Sequence, residues 1–148
     1  MKLSDHELSK RVLVWHALSD LFTARELQDY DYQWMVKVLK ESGLSRETIF
    51  QIIDNEVAPA LLGNLLFNPT PVMDGWEPEE VKELVLRHLH KKPTILEKIL
   101  PRKSLIKKRR KNIQSELSRL SSELDKDQAV SHNYLTDVKS HTPDKGQQ

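Results

Sequence analysis

His16, Ser19 and Asp20 lie three and four positions apart in the stretch VWHALSDLF. That spacing brings side chains together on a helix, and histidine, serine and aspartate are the residue types of a hydrolytic relay. One helix cannot point all three along a single relay, however, and no glycine-rich turn follows the serine to supply an oxyanion hole. The trio therefore reads as a local surface pair of Asp20 with His16, or as a device that positions the first helix. His88-Leu89-His90 offers two imidazoles, but helical residues two apart point about 200° from one another and cannot hold one ion from a rigid turn. Basic residues at a helix end, complementing its dipole, explain them more economically. Asp54 and Glu56 share the same spacing problem, and no second acidic pair complements them for acid–base work. Neither GxxxxGK[ST] nor GxGxxG occurs, and four glycines leave little room for a phosphate cradle. No catalytic residue, metal site or cofactor is expected, and an enzyme is the least favoured class.

The remaining chemistry is electrostatic. Residues 98–111, KILPRKSLIKKRRK, hold eight Lys or Arg and no Asp or Glu. Arg102, Lys103, Lys107, Lys108, Arg109, Arg110 and Lys111 are thus the candidate nucleic-acid contacts. The last five span more than one helical turn, so they form a collar and not a face. A collar attracts phosphates, anionic lipids and acidic protein surfaces alike. Aromatic residues are absent from 91 to 133, which removes the stacking platforms of single-strand binding. A solvated helix that docks back on the rest of the chain is the favoured reading of the collar.

The charge distribution agrees. The net charge of +1 conceals nine Lys/Arg against fifteen Asp/Glu in residues 1–90 and fourteen against seven in 91–148. The acidic part is unsuited to phosphate binding, so any nucleic-acid role falls to the basic part. The 148 residues suit one domain with an appendage. Cysteine is absent, which fits a reducing compartment. The charged amino terminus has no signal-peptide pattern, and no apolar run reaches the roughly 20 residues of a membrane span. A cytoplasmic location is expected.

The elements that must position these residues are helical. Ser4 and Glu7 form a capping box, and Val12, Trp15, Leu18 and Phe22 follow at helical steps, predicting a helix over about 5–21. The segment TARELQDYDY reads as a loop or weak turn. Trp34, Met35, Val38 and Leu39 make a second stripe, closed by Gly43. Ser45 opens a third helix bearing Ile49, Ile52, Ile53 and Val57, which Pro59 should stop. The apolar connection 60–76, with Gly63, Asn64, Pro69, Pro71 and Gly75, is expected to fold over the helices by an irregular path. Glu77-Pro78-Glu79-Glu80 starts a fourth helix, and Thr94 with Glu97 caps a short one before Pro101. Ile106, Ile113, Leu117, Leu120 and Leu124 then form a narrow stripe of about three heptads, with Arg110 as its charged seam position. From Lys126 a flexible tail is expected.

Three blocks, VWHALSDLF, DNEVAPALLGNLL and MDGWEPEEVKELV, resemble a family of small bacterial proteins classed as a domain of unknown function. The resemblance covers about residues 5–90 and leaves the basic helix outside. It implies a compact, mostly helical bacterial domain and brings no activity or cofactor. The expectation is an all-α chain: a bundle of four to five helices over 4–100, a basic amphipathic helix over 102–125, and a tail over 126–148. The function expected is protein interaction, with toxin neutralisation as its sharpest form and nucleic-acid association through residues 98–111 as the alternative. Asn64 and Trp76 in the connection, and Ile113, Leu117 and Leu120 on the heptad stripe, are the candidate partner contacts.

Overall fold

The computed structural model describes residues 2–66, 68, 72–93 and 95–126, and among them every regular element is helical. The elements are α1 (Asp5–Ser19), a 3-10 turn (Asp20–Phe22), α2 (Asp29–Glu41), α3 (Arg46–Ile52), a π turn (Ile53–Val57), α4 (Ala58–Leu61), α5 (Gly63–Leu66), α6 (Pro78–His90), α7 (Ile95–Ile99) and α8 (Arg102–Lys111). A last helix, α9, occupies residues 114–126. Thr94 and the expected tail from 127 onward lie outside the described residues.

The helix starts follow their caps. Glu7 N–H donates to Ser4 Oγ at 3.2 Å while Ser4 N–H donates to Glu7 Oε2 at 2.9 Å, so two amides that the helix leaves unbonded are satisfied reciprocally. Gly43 ends the second helix with φ +72°, a conformation that costs glycine nothing. α1 is the central element and packs against α2, α6 and the π turn. Its Trp15 and Leu18, and Leu21 and Phe22 of the 3-10 turn, are buried. Met35 and Leu39 of α2, Ile49 and Ile52 of α3, and Val81 and Val85 of α6 complete this part of the core.

Two expectations fail for physical reasons. Pro59 does not stop the third helix. The π turn widens the coil ahead of it, with Ala58 N–H donating to Ile53 O five residues back, and Pro59 then occupies the first turn of α4. There its missing N–H costs no helical bond. The path continues when Leu62 N–H donates to Ala58 O at 2.9 Å.

The heptad stripe, offered as a partner contact on a helix that could pair with another helix or lie on the domain, instead closes the core. Ile113, Leu117, Leu120 and Leu124 are all buried in the same apolar cluster as Trp15 and Phe22. The burial lies at and after the break at residues 112 and 113, since α8 itself has no fully buried residue. Arginines fasten α9 on its flanks. Arg119 donates to Asp29 Oδ1 at 2.6 Å and stacks 4.8 Å from the Tyr32 ring centroid. Arg46 bonds Ser121 and Asp125 and stacks over Phe50. Ion pairs of both senses thus link the two parts along this seam.

Candidate interaction surfaces

The tempting polar sets are committed to structure. Ser19 Oγ donates to His16 O at 2.5 Å, inside its own helix. His16 Nε2 lies 2.9 Å from Trp76 O, and because a carbonyl only accepts, this nitrogen carries the proton. Gly75, with φ +99°, turns the chain that brings that carbonyl to α1. A Cβ there would sit 3.6 Å from Asp20 Oδ1. Asp20 is half-buried, and desolvation raises its carboxyl above the ordinary range against the pull of Arg25. Serine and histidine therefore face away from any relay.

Asp54 and Glu56 project in different directions from the π turn, and each holds its own arginine. Arg110 donates Nε and Nη2 to Asp54 at 2.8 and 2.6 Å. Arg11 donates in the same fork to Glu56 at 2.9 and 2.7 Å, and Trp15 Nε1 donates to Glu56 Oε1 at 3.0 Å. Both carboxylates are buried, so each fork replaces the water lost on folding. The seam residue Arg110 is thus the link between the π turn and α8.

That pairing dissects the basic collar. Arg110 is spent on Asp54, and Arg109 lies 3.6 Å from Glu97. Arg102, Lys103, Lys107, Lys108 and Lys111 stay exposed. Lys103, Lys107 and Lys111 recur every four residues and form one ridge of α8.

Asn64 is a clamp and not an exposed contact. Its Nδ2 donates to Phe22 O at 3.0 Å and to Val72 O at 3.2 Å, while its Oδ1 accepts from Val72 N–H at 2.7 Å. It pins the connection to the end of the first helical unit, where Ala24 N–H also donates to Val72 O at 3.0 Å. Ile113, Leu117 and Leu120 are unavailable to a partner for the reason given above. Of the apolar and amide candidates only Trp76 remains near a surface, half-buried beside His16.

The face beside Trp76 holds residues that pattern reading assigned otherwise or passed over. Trp34 was counted in the buried stripe of the second helix, but it is 40% exposed and the buried set is Tyr32, Met35, Val36 and Leu39. Its ring meets that of His16 edge-on, with centroids 5.6 Å apart. Leu13 lies one turn before His16, and Tyr30 one turn before Trp34; they are 59% and 66% exposed. The available signal was Leu13 itself, a large aliphatic residue off the Val12–Trp15 stripe.

His88 lines a cavity of about 280 Å³ with Asn55, Pro59, Glu97 and Arg109. Burial pushes its imidazole pKa down, Glu97 opposes, and Arg109 and Lys91 reinforce the drop. Because the folded value is depressed, the unfolded chain takes up the proton first. The contribution of His88 is present above its ordinary value of about 6.5 and is lost as pH falls toward the folded one. The stability advantage of the wild type over His88→Gln should therefore shrink on acidification through that window, as read from paired thermal melts. Among the described residues no group of three or more His, Asp or Glu side chains converges to hold a metal, and no helix is long and apolar enough to cross a membrane.

A family model described as Domain of unknown function (DUF7079) matches residues 9–123, and the chain belongs to that family. The match takes in α8 and most of α9, beyond the three blocks that carried the resemblance, as expected of a helix whose apolar side chains complete the core. No curated protein and no solved structure matches the chain.

Proposed function

We propose that this chain is a non-catalytic interaction module that presents the α1–α2 face to a protein partner. The observation that carries the reading is the exposure of Leu13, Tyr30 and Trp34 on two packed helices. Aromatic side chains held on rigid elements supply large contact area with little ordering cost, and tryptophan and tyrosine are the residues that most often dominate binding energy. The commitment of Ser19, His16, Asp54 and Glu56 to internal bonds supports the non-catalytic part. A bacterial cytoplasmic setting belongs to the same proposal, and neutralisation of a toxin is its sharpest form.

Trp34→Ala with Leu13→Ser should weaken partner binding by about 30-fold or more, the effect of losing ~2 kcal/mol at a hot spot, while thermal unfolding stays near that of the wild type. The measurement is affinity capture from cells of the source organism, followed by titration of the recovered protein. Undiminished capture by the double variant would overturn this assignment of the face.

A second reading, nucleic-acid association, is favoured by the exposed ridge of Lys103, Lys107 and Lys111 with the neighbouring Lys108. Replacing these four with Gln should abolish duplex binding, and the wild-type affinity should fall with a log–log salt slope of about −3.6 if all four meet phosphates. A salt-independent affinity would dispose of it. Arg109 and Arg110 are left in place in that variant because both are tied to the fold.

A further inference from the structure

Ile95 and Ile99 are the two most exposed large apolar side chains among the described residues, at 76% and 71%. They stand one turn apart on α7, so they share a face. Glu97, halfway between them in sequence, points the other way and lies 3.6 Å from Arg109 of α8. The only acidic residue of 91–103 is thereby turned inward. The residues that flank the isoleucines in sequence are rich in exposed cations: Lys91, Lys92, Lys98, Arg102 and Lys103.

We propose that this face docks the protein on an anionic phospholipid surface, with Ile95 and Ile99 inserted at the boundary between headgroups and acyl chains. Two exposed aliphatic side chains flanked by five exposed cations match both layers of such a surface. The lysines meet headgroup phosphates and carboxylates, and the isoleucines leave water. Membrane attachment scales with buried apolar area plus attraction to anionic lipids, so the two features act together. Nucleic acid would satisfy the cations and leave the isoleucines in water, and the region has no aromatic ring for a base to stack on. A protein partner would need an aliphatic pocket rimmed with carboxylates, a more particular surface than a bilayer. The proposal uses a different face from the α1–α2 proposal and stands independently of it.

The test is co-sedimentation of the full chain with vesicles of phosphatidylcholine alone and with about one-third phosphatidylserine. The wild type is expected to bind the anionic vesicles, to ignore the neutral ones, and to be released as salt rises well above ~0.1 M. Lys91, Lys92 and Lys98 changed to Gln should lower the partition coefficient roughly 100-fold. Ile95→Ser with Ile99→Ser should lower it roughly tenfold or more at unchanged salt, with the circular-dichroism melt unmoved because both side chains are exposed. Absence of binding to anionic vesicles, or equal binding to both kinds, would overturn the proposal. So would full binding by the isoleucine double variant, which would reduce the effect to bulk charge. A wild-type dimer in sedimentation equilibrium that this variant makes monomeric would assign the face to a second copy of the chain and overturn it as well.

Discussion

A chain ended at residue 100 should not fold. It loses Ile113, Leu117, Leu120 and Leu124, four buried side chains of the single core. Full burial of such a side chain is worth about 1.5–3 kcal/mol, and the four together are of the order of a domain's whole stability. The truncation also strips Arg110 from Asp54 and leaves a buried carboxylate without its fork. Full-length protein should melt cooperatively by far-ultraviolet circular dichroism, and the 1–100 chain should show no transition. A finer version is Leu120→Ala, expected to cost about 2–5 kcal/mol in urea denaturation because Leu120 is fully buried and its removal leaves a cavity. If the stripe were a seam between two chains, the same substitution would split a dimer and leave the domain's own melting intact. That outcome would put α9 outside the core.

The same residues show how far the sequence could be read. Helical type, the Ser4 cap, the Gly43 ending and the start at Pro78 were legible because each is a local event, settled within a few residues. The role of α9 was not, because a stripe at alternating three- and four-residue steps states that one face is apolar and not what covers it. The two-sided charge was the clue to its position, since Arg110 and Arg119 of the basic part meet Asp54 and Asp29 of the acidic part along the seam. Pro59 was misjudged because the rule against internal proline assumes regular α geometry, and the π turn at Ile53–Val57 suspends that assumption. Trp34 was misassigned because size, apolarity and helical spacing do not say whether another element covers the side chain. The α1–α2 surface could be found only after packing had shown which large side chains the core declined.

Glu56→Ala should be the most damaging single polar substitution, at about 3–5 kcal/mol, because it orphans three N–H donors of two side chains at once. Arg11 loses both bonds of its fork and Trp15 Nε1 loses its acceptor, in a site where Glu56 is only 6% exposed. The physical origin is the desolvation of the groups left behind and not the Coulomb energy of the pair. The two can be separated. Glu56→Gln keeps an oxygen for Trp15 but leaves the Arg11 charge unbalanced, and Arg11→Met alone strands the carboxylate. Joining Arg11→Met to Glu56→Gln removes both charges while preserving the indole bond. The double variant should therefore recover most of the loss, with a coupling of about 1–3 kcal/mol between the two sites in a urea double-mutant cycle. Asp54 and Arg110 should behave alike, more weakly because Arg110 is more exposed than Arg11. The sign of the Glu56→Gln effect also bears on function. Charges kept for chemistry are commonly held at a cost to stability, so that their removal stabilises the fold. A destabilised Glu56→Gln would agree with a carboxylate whose work is to tie the π turn to α1, whereas a stabilised one would return Glu56 to the candidates for catalysis and count against a purely interacting domain.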